Sequence, residues 1–175
     1  MKILHTNFHK GWGGQSNRIL VVCRELQRSG YDVMIAAPPG SKLIQRACNL
    51  DIPVFEKASF VRGFRPHKII PDILSLRKLL KDNQFDIVHT HGSQDSWNIA
   101  FAMCGFGKRP LVIRTRHNLF PIKNHFFNRR LYGSVTDKIV CISNAILEYC
   151  ANKPYLAKKD LFLIHSAVNA ERYSG

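Results

Sequence analysis

The chain has 175 residues, 45% of them apolar and 22% charged, which fits one globular domain and excludes a disordered segment. No apolar run approaches the roughly 18 residues of a membrane span, and the opening Met1-Lys2-Ile3-Leu4-His5 is too short and too weakly charged for a secretory signal. Lysine and arginine total 26 against 12 acidic residues, a net +14, and this excess predicts an anionic partner: nucleic acid, a membrane surface or a phosphorylated small molecule.

In chain order, Lys2 to Thr6 reads as a short strand, followed by the glycine-rich turn Gly11-Trp12-Gly13-Gly14. Ile19, Val22, Cys23 and Leu26 then recur at helical spacing up to a stop at Gly30. Tyr31 to Ala37 is a near-continuous apolar run stopped by Pro38-Pro39-Gly40, the pattern of a buried strand. A short helix over Lys42 to Asn49 and a third strand over Ile52 to Glu56 follow. Lys57 to Lys68 has no period and reads as a loop, with Pro71 in the first turn of a helix whose stripe is Ile69, Ile73, Leu76 and Leu80. The second half repeats the alternation. Strands are expected at Asp86 to His91, Leu111 to Thr115, Asp137 to Ser143 and Leu161 to His165. Helices are expected at Trp97 to Cys104, Asn124 to Tyr132 and Asn144 to Ala151. Such alternation predicts a mostly parallel sheet covered on both faces, a three-layer Rossmann-like α/β/α domain. The five cysteines form no CxxC pair and read as reduced, largely buried thiols of a cytoplasmic protein.

Ligands of an open parallel sheet bind beyond the carboxyl ends of its strands. Those ends carry the Gly11–Gly14 turn, His89 and His91, Arg116-His117-Asn118, Ser143-Asn144 and His165-Ser166. Gly13-Gly14 before a helix would let a phosphate approach the helix N-terminus, though the pattern is neither GxGxxG nor a P-loop, and a flexible turn fits as well. His89 and His91 share a strand face. They have no convincing carboxylate or cysteine partner in the sequence for zinc, so no metal is expected. His117 ends the next strand beside them and, as a neutral imidazole, could accept or donate a proton. Asp95 is a nearby carboxylate or a helix-start residue, and Ser143, outside any GxSxG context, reads as a helix cap. Two basic loops carry Arg62, Arg65 and Lys68, then Lys123, Arg129 and Arg130, interleaved with phenylalanines. They read as a solvated face or as a surface for an anionic acceptor or lipid.

The ordered set of Gly13-Gly14-Gln15, Gly30-Tyr31-Asp32-Val33, Phe85 to His91, Thr115-Arg116-His117-Asn118 and Asp137 to Ser143 resembles the N-terminal half of the retaining family 4 glycosyltransferases, which have the GT-B fold of two Rossmann-like domains. The resemblance covers the whole chain. It implies an acceptor-side domain over residues 1–175, with the donor-binding C-terminal domain expected to be absent and the chain by itself catalytically incomplete. It implies His117 and His91 as catalytic residues. It implies Gly13, Gly14, Gln15, Arg116, Asn118 and Ser143 as substrate-binding residues. The partners implied are a nucleotide-sugar donor and a glycan or lipid-linked anionic acceptor, at the inner face of a plasma membrane, with no cofactor and no nucleic acid. The chemistry implied is metal-independent, because a GT-B cleft offsets the leaving diphosphate with helix N-termini and basic side chains. Other GT-B activities, such as a nucleotide-sugar epimerase or a phosphorylase, and a basic nucleic-acid-binding domain are the alternatives.

Overall fold

The structure, a computed structural model, describes residues 1–61, 63, 65–156 and 160–165. Among these residues seven strands form one sheet in the order β3-β2-β1-β4-β5-β6-β7, and every neighbouring pair is parallel. The strands are β1 (Lys2–Thr6), β2 (Asp32–Ala36), β3 (Val54–Phe55), β4 (Ile87–Thr90), β5 (Leu111–Arg116), β6 (Lys138–Cys141) and β7 (Asp160–Leu163). The helices are α1 (Gly14–Arg28), α2 (Lys42–Cys48), α3 (Pro66–Asn83), α4 (Ser93–Ala102), α5 (Phe126–Arg130) and α6 (Asn144–Ala151). This is the expected Rossmann-like α/β/α domain, the fold of one half of the GT-B architecture.

Strand alternation divides the core. Leu4 of β1, Ala36 of β2 and Val88 of β4 pack with Leu76, Leu80 and Ile99 of α3 and α4. Val33 and Ile35 of β2 pack with Ile19, Cys23 and Leu43 of α1 and α2. Local signals fix the ends of these elements. Gly30 takes φ +81° just beyond α1, a left-handed exit that glycine adopts without strain. The Ser41 side chain accepts the Ile44 N–H (3.3 Å) and caps α2.

Four elements differ from the sequence reading; one of them, α4, runs over Ser93–Ala102 and so starts four residues before the expected Trp97, with Gly92 as its N-cap. Helix α3 begins at Pro66, so the loop expected through Lys68 is shorter and Pro71 lies inside the helix. The cost of an interior proline is offset by its neighbour: buried Asp72 accepts the N–H groups of Ser59 (2.8 Å) and Phe60 (2.8 Å) and pins α3 to the preceding loop. The expected helix over Asn124 to Tyr132 is the short α5, which continues as a π-helical turn over Leu131–Val135. Strand β3 shortens to two residues at the sheet edge. The cysteines are all free: Cys23, Cys141 and Cys150 are buried, whereas Cys48 and Cys104 are exposed. Among the described residues no helix is long and apolar enough to cross a membrane.

Candidate functional site

The chain leaves β1 for one side of the sheet and returns at β4 on its other side, so the strand order reverses between β1 and β4. An open sheet offers its ligand crevice at that point. Parallel register sets His5 opposite His89, and alternation puts His91 on the same face as His89. The rings follow: His89 and His91 stack with centroids 4.4 Å apart, and His5 lies 4.8 Å from His89. His5 Nδ1 is 3.2 Å from His91 Nε2, and His91 Nδ1 is 3.1 Å from His117 Nε2. His89 Nε2 is 2.7 Å from the Thr115 hydroxyl.

Burial keeps these imidazoles neutral. Desolvation lowers His5 from an ordinary 6.5 to about 4. Desolvation first, then the field of Arg18 and that of Arg116, lowers His117 to about 4. His89 and His91 are pushed well down by burial and by their neighbouring rings and Arg18. Asp95 sits below this cluster in the first turn of α4. Its Oδ2 accepts Thr6 Oγ1–H (2.7 Å) and the His91 N–H (2.8 Å), which fixes the end of β4, and burial raises its pKa.

A cavity of about 440 Å³ opens over these strand ends. Its lining includes Gln15, His91, Ser93, Arg114, Arg116, His117, Asn118 and Tyr132, and among the described residues no carboxylate lines it. Arg116 holds the cavity loop: its guanidinium donates to Tyr132 Oη (3.1 Å) and to the carbonyls of Asn118 (3.2 Å) and Phe120 (2.7 Å). Arg114 is buried, stacks over the Tyr132 ring at 4.4 Å and reaches Ser93 Oγ at 3.3 Å. Gly92 is the N-cap of α4, and a Cβ there would stand 2.1 Å from Phe8 Cε1, so this close approach requires glycine.

Of the residues singled out in the sequence, His91, His117, Gln15, Arg116 and Asn118 therefore share one cavity. Gly13, Gly14 and Ser143 are not among its lining residues. Gly13 is the N-cap of α1, and a Cβ added there would meet nothing within 4 Å; Gly14 likewise faces open space. Ser143 caps α6 by accepting the Ile146 N–H at 3.4 Å. Arg65 and Lys68 are exposed at the start of α3, Lys123, Arg129 and Arg130 are exposed around α5, and Arg62 lies outside the described residues. Sequence reasoning missed His5 and Tyr132, and read Arg114 only as one of the basic residues clustered with Arg116. His5 shares its strand with Lys2 and Thr6, and only the β1–β4 register brings it to the cluster.

His5, His89 and His91 each bring one nitrogen within 4.8 Å of the others. Tetrahedral zinc with bonds of about 2.0–2.1 Å spaces its ligands at roughly 3.3 Å. The trio is looser than that, and the cationic field of Arg18 that depresses His89 and His91 also disfavours a dication.

A parallel sheet whose neutral imidazoles and guanidinium groups converge on a cavity at its switch point defines a Rossmann-like ligand-binding domain. Residues 12–172 match the model of Glycosyltransferase Family 4, and the chain belongs to that family. Over 117 residues it is 27% identical to a UDP-Gal:alpha-D-GlcNAc-diphosphoundecaprenol alpha-1,3-galactosyltransferase of Escherichia coli, covering 61% of this chain and 30% of that protein. It superposes on a glycosyltransferase from Rickettsia africae with a TM-score of 0.77 and 21% identity, over 99% of this chain and 45% of the other. Anabaena HepE in complex with UDP and glucose gives a TM-score of 0.73 at 14% identity, over 99% and 46%. The chain thus spans less than half the length of these relatives.

Proposed function

We propose that this chain is the acceptor-side domain of a glycosyltransferase that moves a sugar from a nucleotide-sugar donor to a glycan or lipid-linked anionic acceptor. The observation that carries the reading is the cavity at the β1–β4 switch point. It is lined by His91, His117, Arg114 and Arg116, and among the described residues it has no carboxylate to repel a phosphate. Family membership favours transfer over an epimerase, a phosphorylase or a nucleic-acid-binding domain. The relative named for a diphosphoundecaprenol acceptor supports a lipid-linked diphosphate as the acceptor class. In this reading His117 and His91 meet the transferred sugar and the acceptor, Gln15, Arg116 and Asn118 shape the pocket, and Gly13, Gly14 and Ser143, outside the cavity lining, are assigned to substrate at the helix starts they occupy.

The rim of the cavity includes His9, Asn118, Phe120 and Pro121, all exposed. Transfer needs the donor held against the acceptor in a water-poor cleft. The proposal therefore assigns donor binding to a second wall facing this rim, and activity to the two together. Beside the rim, Phe120, Phe126 and Phe127 are 73%, 70% and 61% exposed, next to exposed Lys123, Arg129 and Arg130. We assign this basic–aromatic patch to peripheral contact with an anionic bilayer, where each cation contributes about 1 kcal/mol near the surface.

The test is nucleotide release by the full-length protein from a panel of UDP-sugars, with polyprenyl-diphosphate-linked acceptors. Acceptor-dependent release that falls at least about a hundredfold in His117→Ala, with folding retained, supports the reading. Release that needs no acceptor, or a folded His117→Ala variant with full activity, overturns it.

A further inference from the structure

His5, His91 and His117 form a chain of imidazoles from the sheet interior to the cavity, joined at 3.2 Å and 3.1 Å. Two neutral rings in contact need one N–H and one lone pair between them. Burial keeps all three rings neutral. Only two proton arrangements then satisfy both contacts, and in each the rings share one tautomer. Either all three carry the proton on Nε2, with His117 donating inward to His91 and His91 to His5, or all three carry it on Nδ1, with donation running outward.

The buried end decides between them. His5 is 1% exposed, and its Nε2 is buried without a hydrogen-bond partner. The first arrangement would place an orphan N–H there, at a cost of about 1–3 kcal/mol. The second leaves a bare lone pair, and orphaned acceptors are tolerated in protein interiors more often than orphaned donors. We propose that His5 is a positioning residue that acts through His91 to hold His117 in the Nδ1–H tautomer. His117 lines the cavity, and its Nδ1 has no partner among the described residues. It therefore offers the ligand a hydrogen-bond donor and not a proton acceptor. This deepens the transferase reading and rests on it for its purpose: His117 would hold a sugar or phosphate oxygen, while the acceptor hydroxyl loses its proton elsewhere.

The tautomer itself is read without substrate or turnover, so the two readings fail separately. In the chain with ¹⁵N-labelled histidine, long-range ¹H–¹⁵N correlation spectra at about pH 7.5, above the depressed pKa values, distinguish protonated from bare ring nitrogens. The expected result is the Nδ1–H pattern on His5, His91 and His117 alike. A free imidazole prefers Nε2–H, so this pattern is not the default. Substitution His5→Asp puts a carboxylate oxygen, which only accepts, opposite His91 Nε2 and is expected to shift His91 and His117 together to Nε2–H, while leaving His125, outside the chain of rings, unchanged. An Nε2–H pattern at His117 in the wild type, unlike tautomers along the chain, or Nδ1–H persisting at His117 in His5→Asp each overturns the proposal. If His5→Asp does not fold, the wild-type spectrum alone decides the tautomer.

Discussion

Lowering the pH should unfold this protein through its buried histidines. Each of them has a folded pKa below its unfolded value, so the unfolded state binds protons first as the pH falls. Stability is complete above the unfolded pKa near 6.5 and is lost down to the folded pKa, about 4 for His5. Between about pH 6.5 and pH 5 that is about 1.5 units at about 1.36 kcal/mol each, or about 2 kcal/mol from His5 alone. Asp95 works the other way: its raised pKa favours the folded state on acidification, but only at and below its own titration. Substitution His5→Asn isolates the contribution, because asparagine keeps a donor near the Nδ1 position and does not titrate. Urea unfolding followed by circular dichroism at about pH 7.5, 6 and 5 gives both profiles. The wild type should lose at least about 2 kcal/mol more than His5→Asn across this window, since removing His5 also relieves its repulsion of His89 and His91. Parallel profiles for the two proteins would refute the argument that His5 is held neutral by burial.

Asp72→Ala should cost about 2 kcal/mol or more in urea unfolding, because it orphans the Ser59 and Phe60 N–H groups that the carboxylate accepts. Gly92→Ala should cost about 1–3 kcal/mol, since the new methyl would stand 2.1 Å from Phe8 Cε1 and 2.9 Å from Asp95 Oδ1; thermal unfolding measures it. Sedimentation with vesicles should show binding to anionic but not to neutral lipid at low salt. Replacing Phe126 and Phe127 by serine should weaken that binding at least about tenfold, as burying one such ring is worth about 1.5–3 kcal/mol.

The strand–helix alternation was legible because each signal is local. Lys2–Thr6 and Asn144–Ala151 fall where the sequence places them, since an apolar run or a capping serine defines each end. The start of α3 was not, because two prolines compete for the first turn and the deciding contact, Asp72 with the loop at Ser59 and Phe60, is tertiary. The widening after α5 was equally hidden. The site divides in the same way. That His91, His117, Arg116 and Asn118 meet follows from strand ends in a parallel sheet, and the sequence shows those ends. That His5 joins them follows from the β1–β4 register, which no stretch of sequence contains.

Alternation along β5 explains why the cavity has two chemically different walls. Thr115 shares a face with His89, as their 2.7 Å contact shows, so Arg114 and Arg116 must project to the opposite face, where both meet Tyr132. One wall is a stack of neutral imidazoles and the other a pair of guanidinium groups, and both open at the same strand ends. Burial first, then Arg18 and, at His117, Arg116, lower the imidazole pKa values, and the neutral imidazoles in turn add no further positive charge beside the buried arginines. A protonated histidine at this point would face Arg18, His9 and Arg116 together. The cavity can therefore present hydrogen-bond donors and positive charge to an anionic ligand at neutral pH without placing a charged histidine among its own cations.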